Sequence, residues 1–419
     1  MIFPDPTLIH AIVGRVFRCE EVTLGNARDG FYLRYRGELT RDSVEAYDEL
    51  REALRPYLLT PLFRIEAGKQ TILLLPGLPR TPRPGRSWIN LLLFVLTVLS
   101  VLFVGTMSSY SGPMPSDLGG EILTLVLHLW VGWPFAVSLL AILLAHEFGH
   151  YFAGRLNRTA VSLPYFIPLP ISLLGTMGAF IQLKEVPRNR RVLLDIAIAG
   201  PLAGLVVAIP VLLLGLSLSP VAALQNTTYV RSASVADVCP NTARLGQSYT
   251  CPDDNLLEGN SLLYLGLKYL VKGQLLPAPL HYSASKLVYW VRFFLTSSPV
   301  PIGGLDVMLN PIAMAGWAGL LVTFLNLIPA GQLDGGHVLY ALFGKRLRGV
   351  LWVVLVLTAL MGLVWSGWWL WTVLIFFVGR SQAEPLDQIT ALDTRRKVLG
   401  ILMLVIFLLV LTPVPFVTF

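Results

Sequence analysis

Residues 88–107 run for twenty positions without a charged side chain. The runs 310–328, 350–378 and 398–411 are equally uncharged, and 192–216 contains only Asp195. Roughly 20 apolar residues in helical form cross the hydrocarbon of a bilayer. Within hydrocarbon the backbone must satisfy its own hydrogen bonds, so unbroken apolar runs of this length are expected to be helices. Only 14% of the 419 residues are charged, whereas soluble domains carry about 25%. The chain therefore reads as an integral membrane protein.

The stretch 120–156 is too long for one span, and Gly132-Trp133-Pro134 divides it into a short apolar piece and a span over 135–156. Residues 350–378 hold Gly362, Ser366 and Gly367 and are expected to form a tight hairpin of two short spans. Residues 1–79 read differently. "FYLRYRG" at 31–37 alternates as a strand does. "RDSVEAYDELREALRPYL" at 41–58 lines up Val44, Tyr47, Leu50, Leu54 and Leu58 as a helix capped by Asp42 or Ser43. "LFRIEAGKQTILLLP" at 62–76 predicts two strands around Ala67-Gly68, with an earlier strand within 13–24. The fold class expected is a polytopic α-helical membrane protein of about six to seven spans. It would carry a re-entrant, β-containing loop and a small N-terminal α+β domain, 1–79, joined by a proline-rich linker, 80–87, to a membrane domain, 88–419.

The net charge of +7 does not imply nucleic acid, because basic residues cluster beside apolar runs, as at Arg188, Arg190 and Arg191 or Arg395, Arg396 and Lys397. That placement is a topology signal. It puts 1–86, 155–191, 340–349 and 380–397 in the cytosol, and 108–119 and the long loop 218–309 outside. No cleavable signal peptide is expected, since the first 18 residues lack a long apolar core. Within the outer loop, short helices are expected over 261–272 and 286–295, and Cys239 and Cys251 either pair or stay as thiols. Asp195 is expected to pair with Arg190 or Arg191, and Trp365, Trp368, Trp369 and Trp371 to form an interfacial belt. Gly200 and Gly204 have the small-xxx-small spacing of a helix-packing face.

One apolar run breaks the pattern. "LLAHEFGHYFAGRLNR" at 143–158 carries His146, Glu147 and His150 inside what is otherwise the end of a span. Ionisable groups at membrane depth are costly and are usually functional. His146 and His150, at i and i+4, share one helix face and can bind one zinc ion, with Glu147 as general base rather than ligand. A catalytic zinc needs a third protein ligand and an open position. In "FLNLIPAGQLDGGHVLY" at 324–340, Pro329 and Gly331 interrupt a span, and Asp334 follows as the best ligand, with His337 as its rival. Asn326 can hydrogen-bond a substrate carbonyl or oxyanion, or serve as helix–helix glue.

HEFGH in one apolar run and NLIPAGQLDGG in another resemble the site-2 protease family of intramembrane zinc metalloproteases. "SLPYFIPLP", "GTMGAFIQLK" and "DIAIAGPLAG" within 162–204 are similar to its cyanobacterial and plastid branch. The resemblance implies one zinc per chain on His146, His150 and Asp334, with Glu147 catalytic. It also implies cleavage of membrane-anchored, regulatory proteins within a lipid bilayer of the cell or of a plastid-type membrane. The outer loop is longer than this branch leads one to expect. Independently of the family, 163–183 is apolar but holds Pro164, Pro168, Pro170, Gly175 and Gly178, and so is not one regular helix. It reads as a re-entrant loop with a strand over 177–183, where Gly175, Gly178, Ala179 and Phe180 would contact an unwound substrate. A structural plug is the other reading. A metal-dependent transporter or sensor would use the same ligands without needing Glu147. "EPLD" at 384–387 resembles the family's tail but has no role readable from chemistry.

Overall fold

The computed structural model describes residues 4–25, 30–79, 85–224, 256–282, 285–344, 349–379 and 384–418. Cys239, Cys251 and most of the proline-rich linker lie outside these residues.

The N-terminal part folds around its own apolar core. Helix α1 (Pro6–Val13), which the sequence reading did not anticipate, precedes β1 (Phe17–Leu24), β2 (Leu33–Leu39), α2 (Ser43–Leu54), β3 (Leu59–Glu66) and β4 (Lys69–Pro76). The sheet is antiparallel in the order β1-β2-β4-β3. Asp42 caps α2 by accepting the Val44 N–H at 2.9 Å. The β3–β4 turn falls on Ala67 and Gly68, both at positive φ, as a two-residue hairpin turn requires. Ile9, Val13, Tyr35, Leu50, Phe63 and Leu74 are buried together between helices and sheet.

Among the described residues, three helical segments are long and apolar enough to cross a membrane: α3 (Ser87–Ser109), Leu129–Leu156 and α6 (Arg190–Leu218). Helix α4 (Leu118–Leu127) comes before the second, and a 3-10 turn at Leu129–Gly132 leads into α5 (Trp133–Leu156). Pro134 sits in the first turn of α5, where its missing N–H costs nothing. Between α5 and α6 lies the hairpin β5 (Tyr165–Pro168) and β6 (Thr176–Phe180). It packs against α3, where Ser100 Oγ donates to the Gly175 carbonyl at 2.5 Å. Gly175 is at φ +72°, and a Cβ there would press on Ser100 and Val101 backbone at 2.8 Å.

Beyond α6 come β7 (Val221–Ala223), β8 (Leu256–Glu258), α7 (Leu262–Lys272), α8 (Lys286–Thr296) and β9 (Leu305–Val307). Then follow α9 (Pro311–Asn326), α10 (Asp334–Phe343), α11 (Val350–Met361), α12 (Gly367–Gly379), α13 (Thr394–Val410) and β10 (Phe416–Thr418). β7 pairs with β9, and β8 with β10. α5, α6 and α9 form the main helical core.

Two expectations are corrected. Asp195 pairs with Arg396, at 2.7 Å, rather than with Arg190 or Arg191. α13 runs beside α6 and brings Arg396 to it. Arg190 instead donates to the Ala341 and Leu342 carbonyls at the end of α10. Trp368 is 1% exposed and donates through its indole N–H to the Pro413 carbonyl. It is therefore a core residue and not part of a surface belt.

The EPLD segment also acquires a role. The Phe63 N–H donates to the Leu386 carbonyl at 3.0 Å and the Gln388 N–H to the Phe63 carbonyl at 3.1 Å. The segment thus covers the outer edge of β3, which would otherwise be an open sheet edge. The Asp387 N–H donates to the Arg188 carbonyl at 2.8 Å, so one segment ties the N-terminal sheet to the start of α6.

Candidate metal centre

Helix α5 carries His146, Glu147 and His150 to a buried position, each 6% exposed or less. It does so because α6 crosses it at small residues. A Cβ at Gly149 would meet the Ala199 carbonyl at 2.5 Å, and one at Gly200 would meet His150 Nε2 at 2.0 Å. The small-xxx-small motif is a packing face, as its spacing suggests. What the sequence did not reveal is that it packs on the two histidines, since a Cβ at Gly204 would lie 3.2 Å from His146 Nδ1.

Helix α9 ends at Asn326, and the interrupted segment around Pro329 and Gly331 turns the chain so that Asp334 opens α10. Gly335 permits that turn, because a Cβ there would lie 1.9 Å from the Leu327 carbonyl oxygen. The result is a triangle of donor atoms. His146 Nε2 lies 3.2 Å from His150 Nε2. Asp334 Oδ2 is 3.4 Å from the first and 3.2 Å from the second.

These separations fit zinc. Bonds of about 2.0–2.1 Å in tetrahedral directions set ligand atoms about 3.3 Å apart. The donor chemistry agrees: His150 Nδ1–H donates to the Ile196 carbonyl at 2.7 Å, which leaves Nε2 with its lone pair for a metal. Among the described residues, these three form the one group of His, Cys, Asp or Glu able to share an ion. His337, the rival ligand, is outside the triangle but lines the same pocket.

Glu147 also lines this pocket, and its Oε2 is buried with no hydrogen-bond partner among the described residues. Such an orphaned carboxylate oxygen is rare in a folded protein and calls for a functional explanation. The Asn326 amide nitrogen is 3.2 Å from His146 Nε2, at the rim of the triangle. The cavity, about 170 Å³, is bounded by Ala179 and Phe180 of β6, by Ile196 and Ala197 of α6, and by Gln332 and Leu333. Of the four residues suggested for substrate contact, Ala179 and Phe180 lie on the cavity. Gly175 is held by α3, and Gly178 lies outside the lining. Gln332 was not anticipated; it shows no motif signal beyond its closeness to Asp334.

A model of peptidase family M50 matches residues 134–362, more than half of the chain. The chain belongs to this family. The match takes in α5, α6, α9 and α10, and so every residue of the triangle. The M50 chain is 28% identical over 430 residues to "Probable zinc metalloprotease EGY2, chloroplastic" of Arabidopsis thaliana, covering 99% of this chain and 66% of that one. It is 29% identical over 352 residues to "Probable zinc metalloprotease EGY1, chloroplastic" of Oryza sativa subsp. japonica, covering 80% and 52%. The chain thus spans less than two thirds of the length of these relatives. No solved structure matches it. The M50 assignment lends no support to a transporter or sensor.

Proposed function

We propose that this M50 chain is a zinc-dependent intramembrane endopeptidase, cutting peptide bonds in or near transmembrane segments of membrane-anchored, regulatory proteins. The observation that carries the reading is the triangle of His146, His150 and Asp334 beside the buried Glu147 Oε2, which has no hydrogen-bond partner among the described residues. His146, His150 and Asp334 would hold the ion. When bound, it supplies Lewis acidity, making water a nucleophile near neutral pH and polarising the scissile carbonyl. Glu147 takes the proton of the attacking water and returns it to the leaving amine. The Asn326 amide donates to the oxygen that gains charge at the carbonyl carbon.

A transmembrane helix keeps its peptide groups bonded to one another, so the substrate enters unwound. Strand β6 pairs only with β5 among the described residues. Its other edge offers backbone groups to such a segment, with Ala179 and Phe180 beside the reacting bond. In this reading residues 1–79 are a cytosolic domain and 88–419 the membrane domain. Spans beyond the three long helices come from α9, α13 and the α11–α12 hairpin, giving about six to seven. The short helices of the hairpin, 12 and 13 residues, reach only about 20 Å each. The host membrane is a cell or plastid-type membrane.

The test is cleavage of a tagged single-span substrate by the purified chain, wild type against Glu147→Gln, with zinc measured on both. Wild-type cleavage, loss of it in the variant, and about one zinc on each are expected. Two zinc-loaded proteins that both fail to cut a varied substrate panel would overturn the reading.

A further inference from the structure

Two helices between β8 and β9 turn apolar faces outward. On α7, Leu262, Gly266, Tyr269 and Leu270 are exposed. At 100° per residue they fall within one arc of about 100°. On α8, Leu287, Val288, Val291 and Leu295 are all at least 50% exposed, and they too share an arc of about 100°. The opposite faces are already used. Tyr264, Leu267 and Lys268 of α7 are buried, and Tyr289 and Phe293 of α8 pack with Leu224 and Leu257. Soluble surfaces seldom leave contiguous apolar stripes of this kind open.

Position and charge say what covers them. Helix α7 packs directly on α6 and α13, so its outward stripe continues the lipid-facing surface of those helices. Lys272 Nζ donates to the Ser219 carbonyl, one residue past the end of α6, at 2.6 Å. α8 is held by Leu224, a few residues further on. Both helices are thereby tethered where α6 leaves the apolar layer. From 259 to 305 the sequence has no Asp or Glu. Lys268 is spent internally on Glu258 and Asp306, whereas Lys286 and Arg292 of α8 are exposed. An acid-free, cation-bordered amphipathic helix suits an anionic bilayer surface. A solvated loop would show both signs of charge.

We propose that α7 and α8 are interfacial helices of the chain's own bilayer. Their apolar arcs lie at the headgroup–acyl boundary on the side where α6 ends, with Lys286 and Arg292 on anionic headgroups. The loop is then bedded in the leaflet rather than projecting into water, and the rim of the protein at that side is made of lipid-seated helices.

The test uses the unmodified chain reconstituted in phosphatidylcholine vesicles with 30% phosphatidylglycerol and a trace of lipid bearing a photoactivatable acyl chain. Labelled peptides are mapped by mass spectrometry. Label on 262–272 and 286–296 at a level within about threefold of peptides from α3 is expected, with little on 33–39 of the N-terminal sheet. Label no higher than on 33–39 overturns the proposal, whether water, a second copy or another protein covers the helices. The double variant Lys286→Gln/Arg292→Gln tests the headgroup contacts. Several-fold less label on 286–296 is expected in the anionic vesicles, and no change in pure phosphatidylcholine. Equal label in both vesicle types, for both proteins, overturns the headgroup assignment.

Discussion

Gly200 is the position where one methyl group should separate metal binding from folding. A Cβ there would stand 2.0 Å from His150 Nε2 and 2.4 and 2.5 Å from two ring carbons. Non-bonded heavy atoms rest about 3.5–4.0 Å apart, so something must move by more than about 1 Å. The ring cannot swing freely, because Nδ1 is bonded to the Ile196 carbonyl at 2.7 Å. The helices already touch at Gly149, so the strain falls on the imidazole. Metal ligands tolerate about ±0.2 Å. Changes in the shell supporting a ligand cost about 10–100-fold in affinity, so displacing a ligand itself should cost at least about 100-fold. At Gly204 the corresponding contacts with His146 are 3.2 and 3.3 Å. A shift of a few tenths of an ångström relieves them, and less than about tenfold is expected from Gly204→Ala. Zinc affinity is read by competition with a chelator on purified protein, with thermal melting in parallel. Overpacking itself costs about 1–3 kcal/mol, so a control is needed. Gly316→Ala, which would press on Leu212 at 2.7 Å, should lower the melting temperature while leaving zinc affinity intact. Wild-type zinc affinity in Gly200→Ala, or an equal loss in Gly316→Ala, would rule out direct pressure on His150 as the cause.

Asn326→Ala should keep zinc and lower kcat by about 10²–10³-fold, the usual cost of removing one oxyanion donor; single-turnover cleavage checks it. Burial and the neighbouring Glu258 push the Asp306 carboxyl up to about 7, against the opposing pull of Lys268. Its folded value thus exceeds its unfolded one, so the stability it contributes is full below about pH 4 and is lost as pH rises to about 7. Melting temperatures from pH 4 to 8 should therefore fall less steeply for Asp306→Asn than for wild type. Lys268→Met would leave Glu258 and Asp306 without their buried cation and should destabilise the fold by about 3–5 kcal/mol at pH 8, seen in the same melts. Asp387 accepts the Ile389 and Thr390 N–H groups and the Thr390 hydroxyl. Asp387→Ala should loosen the segment on β3 and speed limited trypsin cleavage between the N-terminal sheet and α3 at least several-fold.

The apolar runs fixed where the long helices lie to within a few residues, because in hydrocarbon a backbone has few alternatives to a helix. The spacing of His146 and His150 was enough to place two imidazoles on one face, since i and i+4 are neighbours on any α-helix. Asp334 was legible as a candidate ligand only through the broken span around it. Asp195 shows the limit: its partner, Arg396, is 201 residues away in sequence, and neighbouring arginines made a better local guess. Trp368 shows another, since belt and core tryptophans look alike until the packing around them is known.

Local features were therefore legible in the sequence: helices, the β3–β4 turn, the two-imidazole face of α5 and the donor types available. The tertiary structure alone decided what those faces meet. It brought Asp334 within 3.4 Å of two histidines 188 and 184 residues earlier. It set Gly200 and Gly204 against their rings, and gave the EPLD segment the edge of β3 to cover. Periodicity specifies which side of an element is buried, but pairing across a long chain depends on how helices cross and how closely small residues let them approach. That information is spread over many contacts and resides in no single stretch of sequence.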